Sequence, residues 1–541
     1  MAGGILGIAL TGLNAAQAGI RTTEHNIANV NTAGYRRQEV NYAALQPMFS
    51  GAGYFGSGVG LEAVRSQYSQ FLDNEVLLSE TQQAKYETYS AAAGQVDKLL
   101  GGASSGLSTA MDNFFSAVNE LANDPTSNAA RQVMLSAGEN LAGRIRALDS
   151  KLRDYITAGN GEIAAVTTQA NVYAGRIATL NNDIARAEAA NGGTPANDLR
   201  DQRQQLISEL NKLVNVSLVQ QPDGSTNVFI GSGQPLVVGN SAYTLSTTTD
   251  PNNTQLRVPT IDVGGTTLTL DSDLITGGKL GGLLSLREEV ILPAFDDLNR
   301  IAVAMGTEVN RVHRGGLDFN LAAGGAFFTD PIAGAAGNTG TLRLTLGNDL
   351  QLVRSDYTLT YNGANYTLTR LSDGTVTGPG ALAAVTAGQG FTLTATVAPA
   401  AGDSWTISLK DYARTMDVVP TTTASVAAAG ATADGPGDNT NALALAALQT
   451  SSILNNGTVT FAAAYNQTIT RTASLTAESD LNRAAYTSLA TEAKSAAQSV
   501  SGVNLDEEAV NLIRFQQAYQ AAAKAIQVAS SLFDEILGIV R

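Results

Sequence analysis

The sequence predicts a mainly α-helical protein with β insertions, in which the two chain ends form a coiled coil. Both ends carry apolar residues at every seventh position, which is the spacing of a coiled-coil seam. Long internal stretches keep apolar residues three or four positions apart, whereas two other segments alternate with a period of two. Because helices precede and follow the β segments, the predicted helical domains are discontinuous in sequence.

The N-terminal helix has one apolar seam. Its large apolar residues recur every seventh position at Leu6, Leu13, Ile20 and Ile27. The positions three residues further along hold small or β-branched residues, namely Ala9, Ala16, Thr23 and Val30. This alternation of three and four predicts a helix that buries one stripe against a partner.

The C-terminal helix has a longer seam of the same kind. Its apolar residues recur at Leu505, Leu512, Tyr519, Ile526, Phe533 and Val540. The companion positions are Glu508, Phe515, Ala522, Ala529 and Ile536, with Glu508 as the one charged exception. Asn504 is a good N-cap, and the acidic residues that follow it complement the helix dipole.

Either terminal helix alone could be an amphipathic helix on an ordinary globular core. Two seams at opposite ends favour a coiled coil between them instead. The remaining faces carry little charge, and helices that are apolar nearly all round usually bury more than one side. We therefore expect additional neighbours, such as other copies of the chain.

At 541 residues, the chain is long enough for three or four domains. Helical spacing over about 69–213 predicts an elongated antiparallel bundle, with a weak point at Gly159 and Gly161. A helix pair that includes Pro293 is expected to kink or break there. The predicted domains are a terminal coiled coil (1–50 with 500–541), a helical bundle (51–213, 277–330 and 438–499), a small β insertion (214–276) and an outer β domain (331–437).

Composition excludes several classes of function. The formal net charge is −15 and the pI is about 4.7, so a nucleic-acid partner is not expected, because phosphate binding needs a basic face. The chain has no cysteine, which excludes disulfides and a cysteine nucleophile. The N-terminus lacks a basic segment before its apolar residues, so we expect no cleaved signal peptide. No apolar run is long enough for membrane insertion.

No catalytic, cofactor-binding or metal-binding residues are predicted. The segment GAGYFG at 51–56 matches a dinucleotide-binding pattern, but no strand precedes it and no β-α-β unit surrounds it. The two histidines, His25 and His313, are far apart and have no metal-ligand spacing. His313 has no visible nucleophile nearby, and a polar histidine at a helix end explains it better. We therefore expect a protein that is not an enzyme.

The segment HNIANVNTAGYRRQEV, residues 25–40, interrupts the apolar helical pattern at the end of the N-terminal seam. We call this segment the stop motif. Asn26, Asn29 and Asn31 can close the helix through side-chain hydrogen bonds and tolerate left-handed backbone geometry. Gly34 permits a turn, and Tyr35 can anchor that turn against the helices. The motif predicts a chain that leaves the coiled coil at a fixed height and angle.

The stop motif and the C-terminal segment SGVNLDEEAVNLIRFQQAYQ resemble the terminal sequences of rod, hook and hook-associated proteins of the bacterial flagellum. The family motif residues here are Asn26, Asn29, Thr32, Gly34 and Tyr35. The version GYRRQ at 34–38 resembles the hook-associated junction subunits more than the hook or rod subunits. Several helical segments are similar to the same subunits, whereas residues 331–437 match no motif.

The resemblance implies a structural subunit that joins hook to filament in a ring of its own copies. It also implies export through the flagellar type III apparatus, without a cleaved signal peptide, to an extracellular location. The implied partners are the hook protein, a second junction protein and an export chaperone that binds the C-terminal helix. Cofactors are not expected. Two alternatives are another axial subunit (second junction, hook or distal rod protein) and a surface adhesin whose outer β domain binds glycan or host protein.

Overall fold

The computed structural model describes residues 2–49, 53–102, 106–251, 253–432 and 435–540. Two long helices begin and end the chain, α1 (Ala2–Ala28) and α13 (Leu505–Val540). Asn504 caps α13, because its side-chain oxygen accepts a hydrogen bond of 2.9 Å from the backbone N–H of Asp506. The predicted start of the C-terminal helix is therefore confirmed.

A β-hairpin follows the stop motif and lies along α1. Its arms are β1 (Gln38–Ala44) and β4 (Val59–Ser66), and its tip holds β2 (Met48–Phe49) and β3 (Tyr54–Phe55). The Tyr42 hydroxyl donates to the carbonyl of Ala15 at 3.0 Å, which ties the hairpin to the helix. The prediction placed residues from 51 onward in the helical bundle. The structure instead pairs 54–66 with 38–49, because cross-strand hydrogen bonds hold the second arm against the first.

The first half of the helical bundle consists of α2 (Gln70–Gly101), α3 (Leu107–Asn123), α4 (Asn128–Ala190) and α5 (Asn197–Leu213). Helix α4 has 63 residues, a length of about 95 Å. It continues through Gly159 and Gly161, so the predicted weak point is wrong. The buried Ile156 and Ile163 hold both flanks, and the Asn160 amide bonds the backbone of a neighbouring strand. These contacts outweigh the roughly 1 kcal/mol that each glycine costs a helix.

The remaining bundle helices come from later parts of the chain. They are α6 (Gly278–Leu286), α7 (Leu292–His313), α10 (Thr440–Ala447), the short turn α11 (Leu454–Gly457) and α12 (Phe461–Ser501). A π-helical turn at Arg287–Ile291 joins α6 to α7 immediately before Pro293, so an irregular turn stands where the kink was predicted. Helix α12 runs antiparallel to α2, with the rings of Tyr86 and Tyr486 stacked at 5.5 Å.

The small β insertion packs on α4, α5 and α6 and lies within the predicted residues 214–276. One antiparallel sheet has the strand order β5-β6-β7-β8 and a second has the order β11-β10-β9. The strands are β5 (Val216–Gln220), β6 (Thr226–Ile230), β7 (Gln234–Val238), β8 (Ser241–Ala242), β9 (Leu245–Thr249), β10 (Arg257–Val263) and β11 (Thr266–Thr269). The alternating pattern in the sequence predicted these strands well.

The outer β domain has a five-stranded sheet of order β12-β18-β14-β15-β16 and a two-stranded sheet β13-β17. Its elements are β12 (Ile332–Gly334), β13 (Thr341–Leu346), β14 (Asp356–Tyr361), β15 (Tyr366–Arg370), β16 (Val376–Gly380), α8 (Leu382–Thr386), β17 (Phe391–Val397) and β18 (Ser404–Ser408). Its apolar core is continuous with that of the bundle.

The outer β domain ends near residue 408, whereas the predicted boundary was 437. Helix α9 (Tyr412–Thr415) and the extended chain after it pack on the bundle. The Tyr412 hydroxyl donates to the carbonyl of Thr329, and the buried Arg131 donates to the carbonyl of Val426 at 2.7 Å. An extended segment that lies on helices has the same composition as a strand in a sheet. The predicted end of the outer β domain was therefore too far along the chain.

Within the described residues, no helix is both long enough and apolar enough to cross a membrane.

Candidate assembly interface

The two terminal helices pair along their length and run antiparallel. Gly12 of α1 faces Ala522 of α13, Gly19 faces Phe515, and the Asn26 side chain bonds Glu508. These contacts move toward the C-terminus on one helix as they move toward the N-terminus on the other. A methyl group added at Gly19 would lie 2.6 Å from the Phe515 ring, so this glycine lets the helices approach closely. The predicted pairing of the chain ends is present within one chain.

The face that closes this pair is made of the companion positions, most of which hold small residues. Ala9, Ala16, Thr23 and Ala529 are buried, and so are Asn26 and Glu508. Small side chains bring the helix backbones close together, but they bury little apolar area. Within one chain, the two helices therefore lie close together but bury little apolar area against each other.

The large seam residues named in the sequence analysis lie beside this contact. Leu6, Leu505, Tyr519 and Phe533 are exposed, with Leu505 and Phe533 each half accessible to solvent. Five others are half-buried, namely Leu13, Ile20, Ile27, Leu512 and Ile526. Val540 ends α13, and its side chain lies outside the described residues. Within a single chain, these large residues therefore do not close the pair, and their role as an assembly seam stays a prediction.

The tip of the β-hairpin adds further exposed apolar area. Met48, Phe49, Tyr54 and Phe55 are all well exposed there. The hairpin covers α1 on the side of Thr11, where the Thr11 hydroxyl oxygen accepts from the backbone N–H of Val59 at 3.3 Å. The terminal helices and the hairpin together therefore leave large apolar side chains uncovered at one end of the molecule.

The stop motif closes α1 through one asparagine. Asn29 donates from its side chain to the carbonyl of His25 at 3.0 Å and accepts from the Thr32 hydroxyl at 3.1 Å. The left-handed residue of the motif is Gly34, whose φ is +79°, and Asn26, Asn29 and Asn31 do not use the left-handed geometry that they tolerate. A methyl group at Gly34 would also lie 2.8 Å from the Gln205 side chain, so the turn requires glycine for two reasons.

Asn26 is a buried centre of hydrogen bonds and does not close the helix. Its amide nitrogen donates to the carbonyl of Gln38 at 2.9 Å and to Glu508 at 3.1 Å. Its oxygen accepts from the Tyr35 hydroxyl at 2.7 Å and from the Gln38 backbone N–H at 3.0 Å. One side chain thereby joins α1, the turn, β1 and α13. Such a fully satisfied buried amide fixes the relative positions of its partners.

The two arginines that follow Tyr35 extend this set of contacts to different elements, Arg37 to α12 and α13 and Arg36 to α2 and α5. Arg37 bonds Glu508 at 3.0 Å and Glu507 at 2.9 Å, and its backbone N–H donates to the carbonyl of Ser501 at 2.8 Å. Arg36 bonds Asp73 of α2 at 2.7 Å, and its backbone N–H donates to Asp201 of α5 at 3.1 Å. We call the whole group the exit cluster: Asn26, Tyr35, Arg36, Arg37, Asp73, Asp201 and Glu508.

The exit cluster contains carboxylates in an environment with little water. Burial raises the pKa of Asp201 to about 6, although the hydrogen bond from the Arg36 backbone and the Arg36 charge favour its ionised form. Burial also raises the pKa of Tyr35, and the charges of Asp198 and Asp201 add to that rise. The Tyr35 hydroxyl therefore stays protonated and remains a donor to Asn26.

Sequence reasoning singled out three of the seven residues of the exit cluster. It named Asn26 and Tyr35 and noted Glu508 as an exception in the seam, but it gave no role to Asp73 or Asp201. Their partners are distant in sequence, so local spacing carries no signal for them. The charge at Glu508 inside an apolar heptad was the one signal that pointed to a buried polar partner.

A cleft of about 640 Å³ lies between the turn and helices α4 and α5, near His25 and Asp198. In the part of the chain that the structure describes, no group of three or more His, Cys, Asp or Glu residues is placed to hold a metal ion. His313 lies at the end of α7 and is buried, with its two ring nitrogens bonded to the backbone of Gly325 and Ala427.

Two distant chain ends that form one apolar helix pair, joined by a polar cluster to a long helical bundle, define an elongated structural subunit. Three family descriptions match parts of the chain. "Flagellar hook-associated protein FlgK helical domain" matches residues 93–328, "Flagellar hook-associated protein 1, D2-like domain" matches 333–409, and "Flagellar basal body rod FlgEFG protein C-terminal" matches 494–539. These matches cover the middle part of the bundle, the outer β domain and nearly all of α13.

Named relatives match nearly the whole chain. Flagellar hook-associated protein 1 of Escherichia coli (strain K12) is 33% identical over 98% of both chains. The protein of the same name from Bacillus subtilis (strain 168) is 25% identical over 97% of this chain and 96% of its own length. The chain belongs to the flagellar hook-associated protein 1 family, and it is a structural component of the bacterial flagellum.

A solved structure shows the same architecture. It is "The structure of the flagellar hook junction protein FlgK from Burkholderia pseudomallei", with a TM-score of 0.63 and 25% sequence identity. The similarity covers 79% of this chain and all of that one. The mainly helical fold with β domains, as predicted from the sequence, is confirmed.

Proposed function

We propose that this chain joins the flagellar hook to the filament as a ring of its own copies. The similar structure from Burkholderia pseudomallei carries the name hook junction protein, and the matched domains belong to hook-associated proteins. The match of residues 333–409 to a domain of this family favours an axial subunit over an adhesin. The proposal is of a protein that acts by assembly and not as an enzyme.

One observation carries the proposal: the paired terminal helices keep large apolar residues in water. Leu505, Ile513 and Phe533 are each at least half exposed. Covering one such side chain stabilises an assembly by roughly 1.5–3 kcal/mol. Apart from Phe515, which packs on Gly19, a single chain places mostly small residues between its terminal helices, so neighbouring copies are the natural cover for the exposed seam. The seam residues therefore stand as proposed contacts between copies.

The exit cluster gives this assembly its geometry. It links α1 and α13 to α2 and α5 through charged and neutral hydrogen bonds of 2.7–3.1 Å. Every copy would then hold its bundle at the same angle to its terminal helices. A ring needs that uniformity, because a variable angle would prevent the last copy from meeting the first.

The partners and the route of export follow from the same proposal. The hook protein would contact one face of the ring and a second junction protein the other. Before assembly, the exposed seam of α13 would be covered by an export chaperone, and the chain would leave the cell through the flagellar type III apparatus without a cleaved signal peptide. Deleting residues 503–541 should abolish the chaperone complex, as measured by co-purification.

The main experiment changes one half-buried seam residue. Ile526→Asp should leave thermal unfolding of the purified chain unchanged, because Ile526 lies outside the bundle core. In a strain that lacks its own hook-associated protein 1, the variant should fail to restore motility, and flagellin should appear in the medium. The physical reason is the cost of burying an unpaired carboxylate between copies.

A matched control is Val172→Asp, which places the same charge at an exposed valine of α4 and should restore motility fully. Motility with Ile526→Asp would contradict the proposed seam. Restoration of a hook or rod mutant, but not of the junction mutant, would favour another axial subunit.

A further inference from the structure

Glu508 is the one charged residue in the seam of α13. The other residues at its companion positions are Phe515, Ala522, Ala529 and Ile536, and the large seam positions are all apolar. Helix α13 would have an uninterrupted apolar stripe from Leu505 onward if residue 508 were a leucine. Such a stripe can pair with many apolar helices, including α13 of another copy.

The Glu508 carboxylate is nevertheless almost fully buried, with 2% of the residue exposed. One of its oxygens accepts from the Asn26 amide at 3.1 Å, and the other from the Arg37 guanidinium at 3.0 Å. Both partners belong to the N-terminal segment. The carboxylate can therefore be buried at this position because that segment supplies a charge and a hydrogen bond.

A pair of α13 helices from two copies would lack these partners. The basic residues of α13, Arg514 and Lys524, are outside its seam and companion positions and are exposed. Burying the same face against another α13 would therefore leave Glu508 unpaired, or place it opposite a second Glu508. A buried charge without its partner is strongly destabilising.

We propose that Glu508 determines the partner of α13. It permits α13 to bury its companion face against a segment that carries Asn26 and Arg37, and it disfavours pairing of α13 helices between copies. A single buried polar residue is a known way to specify partners in coiled coils, at a cost in stability. The inference rests on the α1–α13 contact and not on the junction role, so either can fail alone.

Cysteine cross-linking of the purified full-length chain tests this, because the natural sequence has no cysteine. A β-carbon at Gly12 would lie 3.9 Å from that of Ala522, a separation that suits a disulfide. The double variant Gly12→Cys/Ala522→Cys should therefore form an intramolecular disulfide. Ala522→Cys alone should stay mostly monomeric under oxidation, since Ala522 faces α1.

Adding Glu508→Leu to Ala522→Cys should increase the covalent dimer at least about tenfold, because the stripe can then pair with itself. Glu507→Leu in the same background is the matched control. It removes the same charge one residue earlier, at an exposed side chain, and should leave the dimer fraction low. Glu508→Gln keeps a hydrogen-bonding group beside Asn26 and should also stay low.

Two results would overturn the inference. One is a Glu508→Leu chain that forms the intramolecular disulfide and no more dimer than its parent. The other is equal dimer from Ala522→Cys with Glu508 present. A general folding role would appear as loss of the thermal transition of the bundle in Glu508→Leu, and would likewise count against partner selection.

Discussion

The helical bundle and the terminal helix pair are both built from long helices, but they bury different side chains. In the bundle, Phe114, Phe327 and Phe328 form an aromatic cluster with ring centroids 4.9–5.8 Å apart, and each is at most 1% exposed. In the terminal pair, alanine, glycine and threonine make up most of the contact, with Phe515 on Gly19, while Leu505 and Phe533 remain in water.

The core of the bundle is therefore complete within one chain, whereas the core of the terminal helix pair is not. The bundle buries its large side chains within one chain and should fold as a stable unit. The terminal pair has the apolar surface of a core but too few large side chains inside it, so most of its possible burial requires other copies. The predictions below test this contrast, from the largest expected effect on the purified chain to the smallest.

The largest effect is expected in the aromatic cluster of the bundle. Phe327→Ala should lower the free energy of unfolding by about 3–5 kcal/mol, because it removes a fully buried ring and leaves a cavity. Chemical denaturation followed by circular dichroism measures this. Phe71→Ala on α2 is the matched control, since that ring is 73% exposed. An equal loss of unfolding free energy in the two variants would contradict a bundle core that is complete around Phe327.

The second effect is a dependence of bundle stability on pH. Burial lowers the pKa of His313 from 6.5 to about 4, and Nε2 must be unprotonated to accept the Ala427 N–H. The unfolded chain binds the proton more tightly, so stability is complete above about pH 6.5 and falls as the pH drops toward 4. The loss should reach about 3 kcal/mol. Thermal unfolding between pH 4 and 7 measures it, and His313→Gln should remove most of the slope.

The exit cluster should show the opposite sign over part of that range. Burial raises the folded pKa of Asp201 to about 6, so the folded state binds the extra proton more tightly. This contribution therefore improves as the pH falls from about 6 toward 4. Amide exchange at residues 34–38 should reveal it, with Asp201→Asn as the variant that abolishes it. A loss of protection there on acidification, seen also with Asp201→Asn, would contradict this assignment.

A smaller effect is expected from one hydroxyl group. Tyr35→Phe removes the 2.7 Å hydrogen bond to Asn26, and the net cost of such a bond is about 1 kcal/mol. Amide exchange of the stop motif should then accelerate about fivefold, while the bundle transition stays unchanged. His25 packs edge-on against the Tyr35 ring and keeps that contact in the variant. A shift in the bundle transition would show that the two regions are more strongly coupled than proposed.

The smallest effect is expected in the exposed seam. Phe533→Ala should change the unfolding free energy of the purified chain by less than about 0.5 kcal/mol, as for other exposed positions. Backbone amides of α1 and α13 should exchange faster than those of α4 in the free chain and slow down in assembled junctions. Strong protection of both termini in the free chain would mean that the terminal pair is already complete.

Replacing the outer β domain tests whether that domain is needed for assembly. A short Gly-Ser linker in place of the outer β domain should leave export and junction formation largely intact, because insertions at such joints are usually well tolerated. Because the segment after residue 408 packs on the bundle, the linker should replace residues 333–409 and not residues 331–437. Residues such as Val426 and Tyr412 would then keep covering buried bundle side chains.

Local patterns in the sequence determined the elements themselves. The heptads predicted α1 and α13, Asn504 marked the start of α13, and alternation predicted both β regions. These signals are readable because helix and strand periodicity place side chains on defined faces within a few residues. The motif residues around Gly34 also predicted the turn, since few other residues adopt its backbone geometry.

Tertiary structure decided which face of each helix meets which partner. The sequence offered large and small stripes on α1 and α13, and the close approach at Gly19 selected the small one. It also placed Asn26 beside Glu508, 482 residues away, and tied Arg36 to α2 and α5. A single side chain cannot encode a partner so distant, because the free energy of that contact depends on burial supplied by the whole fold.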